Sequence, residues 1–470
     1  MRRAVCRLAV AVAATGLIVA TPPLDDPAAV AAATGPTIKL IAAQNNITLE
    51  RYDGLVVMDP GIWVASLGST FQLDVQRTSY TQPIRVRQII HLASGATHSK
   101  PLPGSILGGW NGLSKFLRMT VTNGRGTVVA SSMITFCPNT FDAERVSPES
   151  PATSVYPQEC ASDPFEVGMP WAITRNWAVD PTEFPPAFRL ATGVYSITET
   201  VTSPFVRLFG IPAPDATATV KATVVNASSE LSVNRRKLPG SSPPSLTKAP
   251  SMSNPPLAAL PDLVALPAWG ISTSHAAGED LLNFGATVWI GGKSLLDVEG
   301  FRTNGSPIMQ AYQYFWLKRH VIGRAPVGKM GFAEYNHWHF QQFAQYKLLK
   351  SSMQLAVRSH KEGFCIAPTD PVDLLLPHAV WQPSTIGLNG QCGMQTALWV
   401  REMLPLGWGD TYYQTVPGES FDITNLPNGI YYIDVIANPL HVLRLMQNPA
   451  IDASQSNPGI SRKITTRCTR

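Results

Sequence analysis

The sequence predicts a mainly β protein with an N-terminal antiparallel β-sandwich-like domain followed by a second β-sandwich-like domain. Charged residues make up 15% of the chain, against about 25% in an average soluble domain. Proline contributes 40 of the 470 residues, well above the usual share of about 5%. Short runs rich in Val, Thr and Tyr have strand length and alternate between polar and apolar residues. These features favour strands joined by long, ordered loops.

Residues 1–33 have the layout of a secretory signal peptide. Arg2, Arg3 and Arg7 open the chain, and an apolar stretch runs from Leu8 to Ala20 before small residues at 31–33. The apolar stretch is too short for a membrane span, and no later one reaches the length that a bilayer requires. The Arg pair is a poor match to a twin-arginine signal, so general secretion is the better interpretation. We therefore expect a secreted, extracellular protein with no membrane span.

Export places the cysteines in an oxidising compartment, which favours disulfides. The local pairings are Cys137–Cys160 and Cys365–Cys392, one in each half of the chain, and Cys468 is left unpaired. A zinc-ribbon interpretation is weak, because no two cysteines have the required short spacing.

The chain divides at a segment rich in Pro and Ser that has no hydrophobic period, residues 233–258. Residues 34–232 precede this linker as an N-terminal β domain, and residues 259–470 form the second domain. The clearest strand predictions in the first domain lie at 70–76, 84–92, 116–123 and 126–137. The net charge of +5 is mild and no Lys/Arg block is interleaved with aromatic residues, so nucleic acid is not an expected partner.

Both domains contain the pattern Leu-x-x-Gly-x-Tyr-x-Ile, at 190–197 and 426–433. In β-sandwiches, a tyrosine at such a corner hydrogen-bonds back to the chain before the turn. We expect Gly193 and Gly429 to adopt a backbone conformation that a Cβ atom disfavours.

The stretch "EYNHWHFQQFAQY", residues 334–346, places two histidines either side of a tryptophan. If residues 334–340 are extended, Tyr335, His337 and His339 share one face of a strand, and Trp338 and Phe340 face the core. Two imidazoles on one face can bind a transition metal, with copper and zinc the usual candidates. The alternative is that they are ordinary histidines in an aromatic-rich strand.

Four segments of the second domain occur together and in order: "LPDLVALPAWGI", "NHWHFQQFAQYKLL", "SHKEGFC" and "LGWGDTYYQTVPGESFDITNLPNGIYYIDVIANP". As an ordered set, they resemble the catalytic domain of the lysyl oxidase family, in particular its secreted bacterial members. The resemblance covers roughly residues 259–440. It implies a β-sandwich-like catalytic domain and copper-dependent amine oxidase activity.

The resemblance also implies roles for individual residues. The family binds copper through a His-x-His-x-His run, whose last two positions fall on His337 and His339. Its first position falls on Tyr335, which departs from the family pattern. The family's lysine tyrosylquinone cofactor is built from the chain itself, and its two positions match Lys361 and Tyr412.

The chemistry requires that Lys361 add to an oxidised Tyr412 ring as a neutral amine, and desolvation by Phe364 and Cys365 favours that form. Asp410 shares a strand face with Tyr412 if the segment is extended, which makes it the candidate catalytic base. The expected substrates are O2 and a primary amine, which can be a small amine or peptidyl lysine. Composition alone gives plainer interpretations: Lys361 in an exposed turn, Tyr412 in the core and Asp410 in a turn.

Two hypotheses follow. The first is an extracellular copper- and quinone-dependent amine oxidase. The second is a secreted, cell-wall-associated binding module that has the same fold without the chemistry. Tyr335 either acts as a metal ligand, with a histidine such as His360, His378 or His441 completing the site, or marks a weakened site.

Overall fold

The computed structural model describes residues 35–227 (the first half) and 249–446 (the second half), together with the backbone of 463–466. Within these ranges, the residues not described are 93, 141, 162, 183–184, 303–305, 333–336, 342, 360, 362, 384–391, 394–396 and 417. The predicted signal peptide, most of the predicted linker, Tyr335, His360 and Cys468 lie outside the described residues.

The first half is built mainly from antiparallel strands, and the predicted strands at 70–76, 84–92, 116–123 and 126–137 are confirmed as β5, β6, β8 and β9. Its strands are β1 (Thr37–Ala42), β2 (Asn46–Tyr52), β3 (Leu55–Val57), β4 (Ile62–Leu67), β5 (Phe71–Gln76), β6 (Arg85–His91), β7 (Thr97–Leu102), β8 (Leu113–Asn123), β9 (Val128–Phe136), β10 (Ala143–Arg145), β11 (Gly168–Ile173), β12 (Trp177–Val179), β13 (Ala187–Arg189), β14 (Gly193–Val201) and β15 (Thr217–Asn226).

These strands form three sheets, with the orders β1-β4-β12-β10, β11-β5-β6-β7 and β13-β3-β2-β15-β14-β8-β9. One pair departs from the antiparallel prediction, because β15 pairs with β2 in parallel. The short helix α1 (Ser203–Phe209) has a proline at its start and ends at Gly210, whose φ of 64° suits a residue without Cβ. Two 3-10 turns cover Gly104–Ile106 and Ala213–Asp215.

The second half is also built from sheets, so the prediction of a mainly β fold is confirmed for both halves. After a 3-10 turn at Leu257–Ala259, its strands are β16 (Leu263–Ala265), β17 (Trp269–Ala276), β18 (Glu279–Ile290), β19 (Leu296–Phe301), β20 (Ile308–Leu317), β21 (His320–Phe332), β22 (Trp338–Gln341), β23 (Ala344–Lys350), β24 (Leu355–Arg358), β25 (Gly363–Phe364), β26 (Asp370–Pro371), β27 (Trp399–Leu404), β28 (Trp408–Tyr412), β29 (Ser420–Asp422), β30 (Gly429–Ala437) and β31 (Lys463–Thr466).

Three sheets result, with the orders β16-β18-β28-β26, β25-β22-β21-β20-β19-β27 and β24-β23-β30-β31. β17 and β29 also pair with β18, which is therefore shared by several neighbours. Aromatic side chains from different sheets meet in the interior, as where the rings of Phe364 and Tyr412 lie edge to face at 5.2 Å.

The predicted tyrosine corners are present in both halves. The Tyr195 hydroxyl donates a hydrogen bond to the carbonyl of Ala191 at 2.9 Å, and the Tyr431 hydroxyl donates to that of Pro427 at 2.9 Å. Gly193 has a φ of 152°, as expected for a position that suits glycine. The same expectation is wrong for Gly429, which does not have a positive φ.

Both predicted disulfides are formed. Cys137 is bonded to Cys160 and Cys365 to Cys392, with Cα atoms 6.0 and 5.7 Å apart respectively. Each disulfide lies within one half of the chain and joins a strand end or short strand to a loop. No helix in the described part of the chain is long and apolar enough to cross a membrane.

The two halves contact each other directly. The backbone N–H of Val167 donates to the carbonyl of Val372 at 2.7 Å, and that of Leu374 donates to Gly168 at 2.6 Å. Nearby, the rings of Tyr156 and Trp381 stack with centroids 5.2 Å apart. Buried apolar side chains from both halves belong to one continuous core cluster. The halves therefore share a bonded and packed interface.

Candidate active site

Strand β28 carries two of the predicted site residues into the interior. It is hydrogen-bonded to β18 on one side and to β26 on the other, and Asp410 lies opposite Val288. Because alternate residues of a strand share a face, Asp410 and Tyr412 point the same way, as predicted. The residue between them, Thr411, faces the opposite side, and its hydroxyl lies 2.9 Å from that of Thr287.

Lys361 is buried, contrary to the exposed turn that composition alone indicates. Only 9% of the residue is exposed, and its Nζ lies 3.9 Å from the centroid of the Tyr412 ring and 5.2 Å from that of Phe364. A cation over a ring face is attracted by the ring's negative face, and more strongly when water is excluded. The structure thus brings the two predicted cofactor residues into contact.

The Tyr412 hydroxyl is held by the backbone of Cys365. It accepts a hydrogen bond from the Cys365 N–H at 2.8 Å and lies 3.3 Å from the Cys365 carbonyl, to which it donates. Burial raises the pKa of Tyr412 well above its usual range, and the negative charge of Asp410 raises it further. The phenol is therefore neutral at physiological pH.

Three buried carboxyl groups surround these residues, and sequence reasoning identified only Asp410. Asp410 is 3% exposed, and its Oδ2 atom has no hydrogen-bond partner within the described part of the chain. Burial raises the pKa of Asp410 well above its usual range, while the charge of Lys361 opposes that shift. A carboxyl group with a raised pKa and a free oxygen has the properties that proton transfer near neutral pH requires.

The other two carboxyl groups are Glu402 and Glu419, and both are fully buried. Glu402 accepts a hydrogen bond from the backbone N–H of Ile366 at 3.1 Å. Glu419 forms an ion pair with Lys361, with 3.8 Å between Oε1 and Nζ. No sequence signal could have identified Glu419, because "PGES" has the composition of an exposed turn.

Burial and these carboxylates have opposite effects on the pKa of Lys361. Burial lowers the pKa of Lys361, whereas the negative charges of Glu419 and Asp410 raise it, and burial has the larger effect. The surroundings therefore make the neutral amine easier to reach than it is in water.

His337 and His339 lie beside this cluster at the start of β22, and their Nε2 atoms are 2.8 Å apart, with ring planes at 86°. Trp338 and Phe340 point to the other face and are fully buried, as predicted. Burial, together with the charges of His337 and Lys361, lowers the pKa of His339 to about 4. His339 is consequently neutral at physiological pH, the form in which imidazole binds metals.

The geometry of the pair is compatible with two ligands of one metal ion. Two nitrogens bound at about 2.0–2.1 Å and at a right angle would be about 2.9 Å apart. The same contact also fits an N–H···N hydrogen bond between the two rings. Among the described residues, no group of three or more His, Cys, Asp or Glu side chains is arranged to hold a metal. His378 and His441, considered as further ligands, are exposed.

The histidine pair and the lysine segment are joined by a short sheet contact. β22 pairs with β25, which places Phe340 opposite Phe364 and Gln341 opposite Gly363. A Cβ atom on Gly363 would lie 3.0 Å from the Cβ of His339, closer than side chains normally approach. Glycine at 363 therefore allows the Lys361 segment to lie against the histidine strand.

No protein-family model matches the sequence, and a search of curated proteins finds no match.

Proposed function

We propose that this protein is a secreted, copper-dependent amine oxidase that oxidises primary amines, including peptidyl lysine, to aldehydes with a cofactor formed from Lys361 and Tyr412. The observation that carries the proposal is the contact between the Lys361 Nζ and the Tyr412 ring, 3.9 Å from its centroid in a buried site. These residues come from separate segments, and both match the cofactor positions implied by the lysyl oxidase resemblance. Two disulfides support the assignment to an oxidising compartment outside the cytoplasm.

Formation of the cofactor needs O2 as oxidant and a neutral amine. Oxidation of the Tyr412 phenol to an ortho-quinone consumes one O2, of which one oxygen enters the ring and the other leaves as water. Addition of the Lys361 amine forms a C–N bond and reduces the ring by two electrons. A second O2 takes those electrons and two protons and leaves as hydrogen peroxide. His337 and His339 would hold the copper, which supplies the redox chemistry with O2 when bound.

Turnover of substrate needs a base near the modified ring. A primary amine, O2 and water give an aldehyde, ammonia and hydrogen peroxide. The step that the protein must assist is removal of a proton from the carbon next to the amine. Asp410 is the candidate because it shares the face of β28 with Tyr412 and has a carboxyl oxygen without a partner in the described residues.

A binding module of the same fold is the alternative, and one observation favours it. The described residues supply only two metal ligands, His337 and His339, and structural metal sites usually have four. Tyr335, which replaces the family's first histidine, lies outside the described residues.

The test is to load the protein with copper under O2 and to search a proteolytic digest for one branched peptide containing Lys361 and Tyr412. We expect that peptide, visible absorbance that reacts with a hydrazine, and peroxide release with a primary amine. Tyr412→Phe should lose all three because it lacks the phenol oxygen. Tyr413→Phe is the matched control, since its hydroxyl bonds to Asp370 instead. Separate, unmodified Lys361 and Tyr412 peptides would refute the oxidase and favour the binding module.

A further inference from the structure

The Glu419 carboxylate lies beside the lysine that the proposed cross-link uses. The side chain of Glu419 is fully buried and that of Lys361 is 6% exposed, with 3.8 Å between Oε1 and Nζ. A charge-assisted hydrogen bond would be about 1 Å shorter. The pair is therefore close enough for electrostatic attraction but is not tightly bonded, so the amine remains over the Tyr412 ring.

The backbone around Glu419 is fixed to both sides of the site. The Glu419 N–H donates to the Val416 carbonyl at 3.1 Å, and its carbonyl accepts from the Phe284 N–H of β18 at 3.2 Å. The Ser359 hydroxyl donates to the Gly418 carbonyl at 3.0 Å. Gly418 has a φ of 91°, and a Cβ atom there would lie 3.5 Å from that of Lys361. These contacts fix the distance between the Glu419 and Lys361 segments.

A buried Lys–Glu pair can exist as two ions or as two neutral groups. The two states are interconverted by transfer of one proton from the lysine to the glutamate. Transfer of that proton from Nζ to the Glu419 carboxylate leaves a neutral amine, the form that can attack an oxidised ring. Burial lowers the pKa of Lys361 and raises that of Glu419, and both shifts favour the transfer. Besides Lys361, the titratable groups that face Glu419 are Tyr346, Tyr412 and Asp410.

We propose that Glu419 positions Lys361 over the Tyr412 ring and accepts its proton, so that Glu419 controls the rate and pH range of cofactor formation. This inference rests on the cross-link proposed above. Once the lysine nitrogen is bonded to the ring, no ammonium proton needs to be removed. Glu419 therefore acts in maturation, whereas Asp410 acts in turnover.

The experiment compares wild type, Glu419→Gln and Glu419→Asp. The rate of branched-peptide formation is measured from pH 6 to pH 10 after copper is added to the O2-saturated, copper-free protein. We expect Glu419→Gln to be roughly ten-fold slower or more at neutral pH, because Lys361 loses both the carboxylate that holds it over the ring and the acceptor for its proton. The rate of the variant should rise towards wild type as hydroxide becomes the acceptor at higher pH. Glu419→Asp should form the branched peptide at an intermediate rate, since it keeps a carboxylate at a greater distance from the Lys361 Nζ. Glu199→Gln, which alters a fully buried glutamate of the first half, should match wild type.

A second readout needs neither copper nor activity. In copper-free protein, acylation of Lys361 by an amine-specific reagent should occur at a lower pH in Glu419→Gln than in Glu419→Asp, because Gln removes the negative charge that raises the pKa of Lys361. Absence of a cross-link in wild type would refute the proposed function itself. A cross-link that forms in Glu419→Gln at the wild-type rate at every pH would overturn only the role of Glu419. If Glu419→Gln does not fold, a wild-type rate and pH profile in Glu419→Asp would also overturn it.

Discussion

The hydroxyl of Tyr412 accepts a 2.8 Å hydrogen bond from the backbone N–H of Cys365, which is itself disulfide-bonded to Cys392. Cys365 follows Lys361 closely in the chain, so one covalent tether positions both the lysine segment and the phenol. Because a backbone N–H makes the contact, Cys365→Ala keeps the donor. Any loss of cross-linking after the disulfide is removed would therefore report on the position of the Lys361 segment.

The first prediction is that the double variant Cys365→Ala/Cys392→Ala loses both stability and cross-linking. The disulfide closes a loop with a sequence separation of 27 residues, for which chain entropy gives about 3.5 kcal/mol. Denaturant unfolding measures the loss. Cys137→Ala/Cys160→Ala is the matched control, because its sequence separation of 23 gives nearly the same loss of stability. Equal cross-linking rates in the two variants would show that the tether does not position the site.

The second prediction is that the protein binds one copper ion per chain and that His337→Ala weakens binding about ten-fold or more. The reason is that His337 and His339 direct their Nε2 atoms towards each other in a site where His339 is neutral. Metal analysis after equilibrium dialysis is the measurement. The control is His275→Ala, since His275 is exposed and pairs with Asp280. Unchanged copper content in His337→Ala would place the metal elsewhere.

The third prediction concerns Tyr335, which stands where the resemblance expects a histidine. If Tyr335 only weakens the site, Tyr335→His should raise copper affinity or activity, because an imidazole replaces a poorer ligand. If Tyr335 is a working ligand, the same change should be neutral or harmful. We expect the increase, measured by competitive copper titration. A fall in copper affinity would identify tyrosinate as a ligand.

Local patterns predicted the elements of the fold well. Alternation predicted β5 and β6, and the inward face of β22 was evident from Trp338 and Phe340, because burial follows period two in a strand. Which strands pair with each other was not predictable in the same way. The parallel pairing of β2 with β15 joins distant segments, and the chain between them carries no signal for it.

The candidate site shows the same division between local and distant information. The positions of Lys361 and Tyr412 came from the family resemblance, and the shared face of Asp410 and Tyr412 came from strand period. Composition alone indicates a solvated turn at Lys361, and only the cofactor chemistry implied by the resemblance required its desolvation. Its pairing with Glu419 could not be predicted, because the two residues lie in distant segments. Only the three-dimensional fold shows that apolar residues and a carboxylate enclose the lysine.

The fourth prediction is that limited proteolysis cuts within residues 233–258 and that the two fragments stay together. The reason is the interface that includes the Val167–Val372 and Leu374–Gly168 hydrogen bonds and the Tyr156–Trp381 stack. Size-exclusion chromatography of the nicked protein is the measurement. Trp381→Ala should promote separation, whereas Trp399→Ala, whose indole bonds to Glu299 within the second half, should not. Cuts spread evenly along the chain would count against the domain boundary.

The fifth prediction is that the stability of the protein falls as pH rises from about 4 to about 7, because Asp163 is buried between the two halves. Burial, together with the charge of Asp370 from the second half, raises the pKa of Asp163 to about 7. The Phe165 N–H and Arg77 oppose that shift. Glu166, fully buried beside Asp163, has a pKa raised in the same direction.

The sign follows from proton linkage at Asp163. The unfolded chain loses the Asp163 proton near pH 4, while the folded protein retains it to about pH 7. Between these values the folded state binds more protons, so the free energy of unfolding decreases with rising pH. A difference of three pKa units between the folded and unfolded states lowers the free energy of unfolding by about 4 kcal/mol at pH 8.

Asp163→Asn should therefore be more stable than wild type at pH 8, and its free energy of unfolding should depend less on pH. Its amide oxygen can still accept the 2.6 Å hydrogen bond from the Phe165 N–H. Denaturant unfolding at pH 5 and pH 8 is the measurement, with the exposed Asp142→Asn as the control. An equal change in the free energy of unfolding between pH 5 and pH 8 in wild type and Asp163→Asn would show that Asp163 is ionised in the folded protein throughout this range.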